Sequence, residues 1–506
     1  MSSAISCLDT RYFNDVKELI NVCDDFAYYR NRIYVELKYF ELFTSSTITY
    51  NPLIDFTYND YLDILKSEAI LRHDVKAIEY FIKALPEVKE IGKSHLIHIG
   101  LTSQDVNSLG FMLCFRDTCF IILENLKKLI NTFTEQLITP YLEKNSITND
   151  ILMLSFTHGQ PATPTHFSKE MLIYKTRLYH IYNEMNEFIK SELTVKFGGA
   201  TGEFNSLSFS LPDTNWKEWA DHFIEGFSIE GFSIEGFSIE GFSPSSSLAP
   251  DTSSLATEKL TPSCTSKTCD NSLRAGFYKS CFSKSCNNSL RAGFSKSCFK
   301  RTQYTNQCDN YDSIINVLYM IKRMLHILEH LRGNLWLYIH REYFIQKNIK
   351  TEIGSSTMPQ KINPIDLENA KTAIEMAKRM IDGICDILTE TSLQRDISDS
   401  SALRNISSVV GYVLISLKKM TSGISRLTPN VNKMKEELQE HPEIILEGIQ
   451  TYLKIHCNIE NSYEMMKEKS RGNKITLLDI YCMIDELEID EVHKLKLKNL
   501  TPESYK

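Results

Sequence analysis

Four long stretches of the chain carry apolar residues at helical spacing and contain no interior proline. In the first stretch, Val106, Leu109 and Leu113 recur every three or four residues, which is the period of one helix face. The four stretches cover residues 102–139, 166–193, 311–344 and 365–391. Alternation typical of strands is scarce. The pattern predicts an all-α fold with a central antiparallel bundle of long helices.

The helical pattern divides the 506-residue chain into three parts. Residues 1–98 hold short helical pieces between turn-rich segments, residues 99–385 hold the four long helices, and residues 386–506 are charged and helical. A chain of this length is expected to form two to four domains. We therefore predict an N-terminal helical domain, a central helical-bundle domain and a C-terminal helical domain with these boundaries.

Residues 224–300 break the helical pattern. Ile-Glu-Gly-Phe-Ser repeats with a period of five residues from Ile224 to Ser243, and Asn-Ser-Leu-Arg-Ala-Gly-Phe occurs twice, 17 residues apart. Perfect short repeats are typical of a sequence expansion, because the units of a solenoid are longer and degenerate. We interpret the segment as a low-complexity, mostly disordered and exposed insertion. A segment for partner binding or self-association is the alternative.

The charge balance limits the classes of partner. The formal net charge is -8 and the pI is near 6.0, so no basic excess is left to neutralise a nucleic-acid backbone. No apolar run reaches the roughly 18–20 residues that a membrane span requires, and the first residues lead into no signal peptide. We expect a soluble, cytoplasmic protein that binds neither nucleic acid nor membrane.

Thirteen cysteines are too dilute in a chain of this length to suggest a disulfide framework. Cys264 and Cys269, like Cys281 and Cys286, have four residues between them, whereas common zinc sites have two. No histidine pair accompanies them. We therefore expect no metal site.

The segment Gly354–Asn363 has the most specific pattern in the chain, and its sequence is GSSTMPQKIN. Gly354 and Pro359 favour a shaped loop over a helix. The loop comes just before the fourth long stretch, where the free N–H groups and the dipole of a helix start attract anions. It is therefore a candidate anion site. An ordinary turn with an exposed lysine is the alternative.

Further polar groups lie at the ends of the predicted helices. Thr102 and Ser103 begin the first long helix, and Asp105 follows at the spacing of a capping box. His158 lies among Gly159 and two prolines in the connection to the second long helix. A lone loop histidine is more often structural than catalytic, but an immobilised imidazole that titrates near neutral pH is a candidate for proton transfer.

Three arginine-containing segments could bind an anion. They are Arg11-Tyr12, Arg72-His73-Asp74, and a block with Arg395, Ser400 and Arg404. Arginine binds phosphate through charge-assisted hydrogen bonds. The alternative is local: the first two segments could be a surface cation and a helix end, and Asp396 and Asp399 could neutralise the arginines of the block.

Three separated segments, Thr102–Asp105, Thr157–Pro164 and Gly354–Asn363, together resemble the signature regions of the fumarase/aspartase superfamily of lyases. Within that superfamily, the three arginine-containing segments make the chain similar to the adenylosuccinate lyase family, in particular to its bacterial-type branch. The resemblance covers nearly everything except the insertion. It implies a three-domain fumarase/aspartase-like fold and a homotetramer with active sites shared between subunits. It implies no metal and no organic cofactor.

The resemblance also implies a reaction, the β-elimination of fumarate from adenylosuccinate to give AMP, with the corresponding cleavage of SAICAR to AICAR in purine biosynthesis. Ser355 would be the general base and His158 the general acid. The succinyl carboxylates would be held by Thr102, Ser103, Ser356, Lys361 and Asn363. The nucleotide would be bound by Arg11, Tyr12, Arg72, His73, Asp74, Arg395, Ser400 and Arg404.

The family also has a Thr-Gln pair that contacts substrate, with Asn-Pro-Tyr before it and Glu and then His-Asp after it. We assign this pair to Thr302-Gln303, although Phe299-Lys300-Arg301 precede it here. Two rival functions remain open. The chain could be another lyase of the superfamily, such as argininosuccinate lyase, or it could be a noncatalytic helical scaffold that keeps the fold.

Overall fold

The computed structural model describes residues 6–142, 151–227, 299–349, 351–352 and 354–505. Its N-terminal part consists of mostly short helices around a core that includes Ile33, Phe40 and Ile78. The helices are α1 (Phe13–Val16), α2 (Asp25–Thr44), α3 (Pro52–Asp55), α4 (Tyr58–Leu71), α5 (Asp74–Ala84) and α6 (Pro86–Glu90), with 3₁₀ turns at Lys17–Leu19 and Ser94–Leu96. Thr57 and Asp60 form a capping box that fixes the start of α4.

The central part contains the long helices. Its elements are α7 (Ser103–Leu137), β1 (Leu152–Thr157), β2 (Gln160–His166), α8 (Phe167–Ser191), β3 (Leu193–Val195), α9 (Asn205–Ser210), α10 (Trp216–Glu225), β4 (Phe299–Arg301), α11 (Asp312–His340), β5 (Phe344–Gln346) and α12 (Ile365–Thr389), with a 3₁₀ turn at Thr139–Tyr141. Helices α7, α8, α11 and α12 match the four predicted stretches. The prediction of an all-α fold with a long-helix bundle is therefore confirmed.

The C-terminal part is a further series of helices. Its elements are α13 (Ser398–Arg404), α14 (Ile406–Ser425), β6 (Leu427–Pro429), α15 (Val431–Gln439), α16 (Leu446–His456), α17 (Ser462–Ser470), α18 (Leu477–Asp485) and α19 (Glu491–Lys498), with a 3₁₀ turn at Pro442–Ile445. The strands form three short pairs: β1 and β2 are antiparallel, β3 and β4 parallel, and β5 and β6 antiparallel. These pairs tie loops at the ends of the bundle.

Helix α14 is an additional long bundle helix that the sequence pattern did not separate from the C-terminal part. It packs against α7 and α12, and its Val413, Leu414 and Leu417 are fully buried. A Cβ atom at Gly423 would lie 2.8 Å from the Leu367 side chain, so glycine lets α12 approach closely. The bundle core therefore continues through α14 and includes Leu427 and Met434, beyond the predicted boundary at 385/386. The domain boundaries stay predictions.

Helix α7 is long and apolar enough to cross a membrane by length and composition, over the segment Ser103–Tyr141. The expectation that no stretch reaches this limit was therefore wrong. However, 67% of the apolar window is buried inside the protein, as in the core helix of a soluble protein. Leu109, Leu126 and Phe133 are fully buried. This burial explains the apolar composition of α7 by its place in the bundle.

Most of the predicted insertion, residues 228–298, lies outside the described residues. At its first edge, Ile224 and Phe227 are buried in the same core as Phe223. At its last edge, β4 pairs with β3, and Phe299 lies opposite Leu193. Both edges therefore belong to the packed core, which extends to residue 227 instead of ending before 224.

Candidate active site

The loop between β5 and α12 folds back on itself at Gly354. A Cβ atom at this position would lie 2.2 Å from the backbone oxygen of Lys361, so the close approach requires glycine. The Asn363 side-chain amide donates to the Gly354 carbonyl oxygen at 2.8 Å. Pro364 is the N-cap residue of α12. The prediction of a shaped loop at a helix start is therefore confirmed.

Within this loop, the hydroxyl oxygen of Ser355 accepts two backbone hydrogen bonds. The donors are the N–H of Met358 at 3.0 Å and the N–H of Thr357 at 3.3 Å. Fixed donors stabilise negative charge that develops on the atom they face. Ser355 is half-buried, while Ser356 and Lys361 are exposed. The loop thus holds one serine in a setting that favours its alkoxide form.

His158 lies at the tip of the β1–β2 hairpin. Thr157 pairs with Gln160, so the turn contains only His158 and Gly159. Both have a left-handed backbone, with φ of 53° and 74°, as a two-residue type I′ turn requires. A non-glycine residue in this region stores strain, which is common at functional sites. The predicted rigid connection is thus a hairpin that presents an exposed imidazole.

Thr102 and Ser103 start α7 beside a buried ion pair. Asp105 accepts the backbone N–H of Thr102 at 2.7 Å and the Nζ of Lys196 at 2.7 Å. Both charged side chains are fully buried. Burial lowers the pKa of Lys196, and the charge of Asp105 opposes this shift. Two backbone N–H groups of the next glycine-rich turn also donate to Asp105. The first turn of α7 is therefore fixed by long-range contacts.

A buried arginine connects the predicted His73-Asp74 pair to the bundle. Arg32 is fully buried, and its Nη1 binds Asp74 Oδ2 at 2.6 Å and Asn107 Oδ1 at 3.3 Å. Arg404 lies 3.8 Å from the same Asp74 oxygen. Burial alone would raise the pKa of Asp74, but Arg32, the backbone N–H of Val75 and Arg404 together lower it. The structure thus brings two of the three arginine-containing segments together.

Asp399 is a candidate that sequence reasoning treated only as a counterion. Its Oδ2 accepts from the Tyr311 hydroxyl at 2.6 Å and from Gln104 Nε2 at 2.7 Å, and its Oδ1 accepts the backbone N–H of Ser400 at 2.7 Å. In the described part of the chain it forms no ion pair with an arginine. Asp399 therefore fixes α13, which carries Ser400 and Arg404, to α7 and α11.

A cavity of about 310 Å³ lies between α2, α7, α13 and α14. Its polar side includes Gln104, Asn107, Ser400 and Arg404. Its apolar side includes Phe111, Met112, Phe115, Ile314 and Ile406. The volume is at the lower limit of small-molecule pockets. Two predicted phosphate-binding residues therefore border a space next to the start of α7.

Two nearby glutamines, Gln303 and Gln307, have different hydrogen-bond partners. Gln303 is exposed, and its amide donates to the hydroxyl of Tyr304 at 3.3 Å. Gln307 donates through Nε2 to Thr102 Oγ1 at 3.3 Å. We therefore add Gln307 to the candidates, and the assignment of Gln303 stays a prediction. The signal was present in the sequence, because Tyr304 before Gln307 and Asp309 after it follow the family order of tyrosine, glutamine and acid.

Arg11 and Tyr12 lie beside α14. They precede α1, which packs against α14. A Cβ atom at Gly411 of α14 would lie 3.0 Å from the side chain of Leu8 in the same segment. Among the described residues, no hydrogen bond or ion pair joins Arg11 or Tyr12 to Asp74 or Arg404.

Four of the predicted cationic residues form no ion pair within the described ranges. They are Arg11, Arg72, Lys361 and Arg395. Arg72 is exposed and has a left-handed backbone, with φ of 54°, as the residue that ends α4. In a protein with a net charge of -8, these cations are available to an anionic ligand.

His98, four residues before Thr102, forms a buried pair that sequence reasoning did not consider. Its Nδ1 lies 2.5 Å from Oε1 of the fully buried Glu36. Burial alone would lower the pKa of His98, but the negative charges of Glu36, Glu79 and Asp105 together with the hydrogen bond to Glu36 raise it. The neighbouring Ile99 carbonyl oxygen accepts the hydroxyl of Tyr39 at 2.7 Å. The turn that leads into α7 is thus anchored to α2.

The candidates gather at two opposite ends of the bundle. The arginine end contains Asp74, Thr102 and Arg404. The loop end contains Ser355 and His158. Helix α12 has 25 residues and spans about 38 Å, and it separates the Ser355 loop from the segment that leads to α13. Helix α8 also has 25 residues and separates the His158 hairpin from the buried ion pair at the start of α7. One chain therefore does not bring its own loop end to its own arginine end.

Comparison with known proteins covers nearly the whole chain. Residues 391–506 match the family model described as Adenylosuccinate lyase C-terminal, and residues 48–230 and 281–380 match the model described as Lyase. A protein named adenylosuccinate lyase from Dictyostelium discoideum is 31% identical over 528 residues, covering 99% of this chain and 96% of that protein. The chain belongs to the adenylosuccinate lyase family. It is thereby an enzyme of the lyase class.

Other members of the adenylosuccinate lyase family match over the same length. The proteins of that name from Legionella pneumophila (strain Corby) and Escherichia coli (strain K12) are 29% and 27% identical, and each match covers 99% of this chain and 96% of the relative. The choice between Gln303 and Gln307 therefore concerns a detail within the family and not membership itself.

Solved structures share the fold of this family member. A fumarate lyase from Mesorhizobium sp. BNC1 has a TM-score of 0.63 at 12% identity, covering 97% of this chain and 94% of that chain. The 3-carboxy-cis,cis-muconate lactonizing enzyme from Pseudomonas putida has a TM-score of 0.61 at 12% identity, covering 97% and 93%. At these identities the similarity shows the fold alone, and it agrees with the fumarase/aspartase-like fold expected from the sequence.

Proposed function

We propose that this chain cleaves adenylosuccinate to AMP and fumarate, and that it also cleaves SAICAR to AICAR and fumarate. The observation that carries the proposal is the similarity along 99% of the chain to proteins named adenylosuccinate lyase. The reaction requires a base, an acid and cations for an anionic substrate. The candidate residues supply each of these.

Ser355 acts as the base. It removes the proton from the carbon next to a succinyl carboxylate, and the electron pair of the broken C–H bond moves into that carboxylate. The product is a dianionic aci-carboxylate. The N–H groups of Met358 and Thr357 stabilise the serine alkoxide, and Lys361 adds positive charge at the same loop.

His158 acts as the acid. When the C–N bond breaks, its electron pair stays on the leaving nitrogen, which takes the imidazole proton. The electron pair held in the aci-carboxylate returns to form the C=C double bond, and the remaining four-carbon unit leaves as fumarate. The two-residue turn limits where the imidazole can point, and a positioned general acid lowers the barrier for departure of the amine.

Cations and hydrogen-bond donors bind the anionic substrate, which carries about four negative charges with a nearly doubly ionised phosphate. The carboxylates are bound by Thr102, Ser103, Ser356, Lys361 and Asn363. The nucleotide is bound by Arg11, Tyr12, Arg72, His73, Asp74, Arg395, Ser400 and Arg404. Gln307, at 3.3 Å from Thr102 Oγ1, is a second candidate for the role first assigned to Gln303. No metal or organic cofactor takes part in these steps.

A homotetramer with shared active sites accounts for the distribution of these groups. The arginine end and the loop end are about one long helix apart in a single chain. A second copy in antiparallel orientation places its loop end beside the arginine end of the first. We propose this arrangement, and a cytoplasmic location, for the protein.

An assay with two substrates tests the reaction. The absorbance change is followed after mixing with adenylosuccinate and, separately, with argininosuccinate, and the products are identified by chromatography. We expect AMP and fumarate from the first substrate and no change with the second. Turnover of argininosuccinate alone would assign a different lyase. Binding of AMP without turnover of either substrate would favour the noncatalytic scaffold.

A further inference from the structure

A cation outside the proposed reaction holds the hairpin that carries His158. We propose that Arg341 is a positioning residue for this histidine, an inference that rests on the proposed function of His158 as general acid. The Cζ atom of Arg341 lies 3.7 Å from the centre of the Phe156 ring. Phe156 comes two residues before His158, so Arg341 acts on the turn through this ring.

The position of Arg341 is set by two other elements. Its Nη2 pairs with Oε1 of Glu437 on α15. The backbone that follows Arg341 is bound to the N-cap residue of the same helix: the Asn430 backbone N–H donates to Tyr343 O at 2.8 Å, and the Asn430 amide donates to Glu342 O at 3.1 Å. The guanidinium is therefore fixed between the end of α11 and α15.

The hairpin depends on such a support because of its own irregularity. The register of β1 and β2 shifts between Leu154 and Phe156, and a bulge of this kind bends a strand and redirects its side chains. Leu154 is fully buried in the C-terminal core, whereas Phe156 is only partly buried. A planar guanidinium covers an aromatic face and is attracted to it.

A movement of Phe156 is transmitted to the imidazole. Thr157 pairs with Gln160 directly after it, and the remaining turn has only two residues with a fixed left-handed backbone. So short a turn cannot take up a displacement of Phe156 by changing its own backbone angles. Since a misplacement of about 1 Å can lower a rate about 100-fold, loss of the guanidinium affects proton donation without touching the substrate.

The test is a double-mutant cycle between Arg341→Met and His158→Gln in the full chain. We expect Arg341→Met to lower kcat by about 10- to 100-fold with little change in KM. In the His158→Gln background it should cause no further loss, because the acid that it positions is already absent. Lys469→Met, which breaks an ion pair with Glu486 on the C-terminal surface, is the matched control and should leave kcat unchanged.

Two results overturn the proposal: an unchanged kcat in Arg341→Met, or an equal loss in both backgrounds, which would indicate general structural damage. If Arg341→Met fails to fold, Arg341→Lys and Glu437→Gln take its place. Their kcat values are compared alone and in the His158→Gln background in the same way. Hydrogen exchange of residues 152–166 gives a second readout. If the wild type turns over no adenylosuccinate, the proposed function fails, and unchanged exchange in the variant would then separately contradict the role of Arg341.

Discussion

The Ser355 hydroxyl oxygen accepts the backbone N–H of Met358 at 3.0 Å, three residues later in the same loop. The donors that face this oxygen therefore come from the loop itself and not from the start of α12. Gly354 makes the fold possible, because a side chain there would collide with the Lys361 backbone. The loop carries its own support for a serine alkoxide.

Replacing Ser355 by alanine removes the proposed base. We expect Ser355→Ala to lower kcat by about 10²- to 10⁴-fold, the usual contribution of a general base. Binding of AMP, measured by calorimetry, should persist, since the arginine end is untouched. Ser425→Ala, near the end of α14, is the control and should keep full activity. Undiminished turnover in Ser355→Ala would remove the serine from the mechanism.

The two glutamines allow a matched comparison. Gln307→Ala deletes the donor to Thr102 Oγ1 and, in the proposed role, a hydrogen bond to the anionic substrate. We therefore expect kcat/KM to fall about 10- to 100-fold, because a hydrogen bond to a charged group contributes about 1.5–3 kcal/mol. Gln303→Ala changes an exposed side chain and should stay within about twofold, because exposed changes cost little. Steady-state kinetics of both variants with adenylosuccinate shows which glutamine contributes to catalysis. The reverse order of effects would favour Gln303.

Asp399 joins three elements under the arginine end. Asp399→Asn converts an acceptor of three hydrogen bonds into a mixed donor and acceptor, so we expect the free energy of unfolding to fall by about 1–3 kcal/mol. Displacement of α13 should also weaken AMP binding. Asp396→Asn is the control, because Asp396 is exposed and its pKa of about 2 reflects local bonds to Ser398. Equal effects of the two changes in urea unfolding would argue against this role.

The pair of His98 and Glu36 makes stability depend on pH. The folded-state pKa of His98 is raised above its ordinary value of about 6.5. The stabilisation is therefore fully present below about pH 6.5 and is lost as the pH rises through the folded-state pKa. We expect the free energy of unfolding of the wild type, minus that of His98→Gln, to decrease as the pH rises above about 6.5 and through the raised folded-state pKa. A pH-independent difference would contradict the pair.

The insertion can be removed at the edges of the packed core. Joining Phe227 to Phe299 by a short Gly-Ser linker deletes residues 228–298, and we expect activity and native mass to be retained. The reason is that both flanking residues pack in the bundle core, and long surface insertions change stability only slightly. Kinetics and light scattering provide the measurement. A monomeric or inactive product would show that the segment is structural.

The long helices could be predicted because their signal is local. Val106, Leu109 and Leu113 show the helical period within about two turns. Helix α7 begins within one residue of the predicted start. Helix α14 was missed since it follows α13 with a single residue between them, so no clear break marks it. Gly354 could be predicted in the same way from its local sequence. The loop needs a residue without a side chain next to the Lys361 backbone.

The remaining site features depend on contacts between distant segments. The bonds from Gln104 and Tyr311 to Asp399 join residues that lie 295 and 88 positions apart in the sequence. No regular sequence spacing predicts that Gln104, Tyr311 and Asp399 meet. The sequence alone also does not distinguish a buried carboxylate from one that pairs with a cation at the surface. His158 was expected in a rigid connection, but the hairpin and its bulge depend on Phe156 and on contacts with α15. Gln303 was chosen because the adjoining insertion obscured the start of the family pattern.

The length of α12 has a consequence for the proposed assembly. Because the two halves of each proposed site lie about one helix length apart in one chain, a single subunit would hold only part of a site. In the proposed tetramer, dilution that separates the subunits would therefore lower activity. A substitution on an outer helix that weakens the assembly would then reduce catalysis without contacting the substrate.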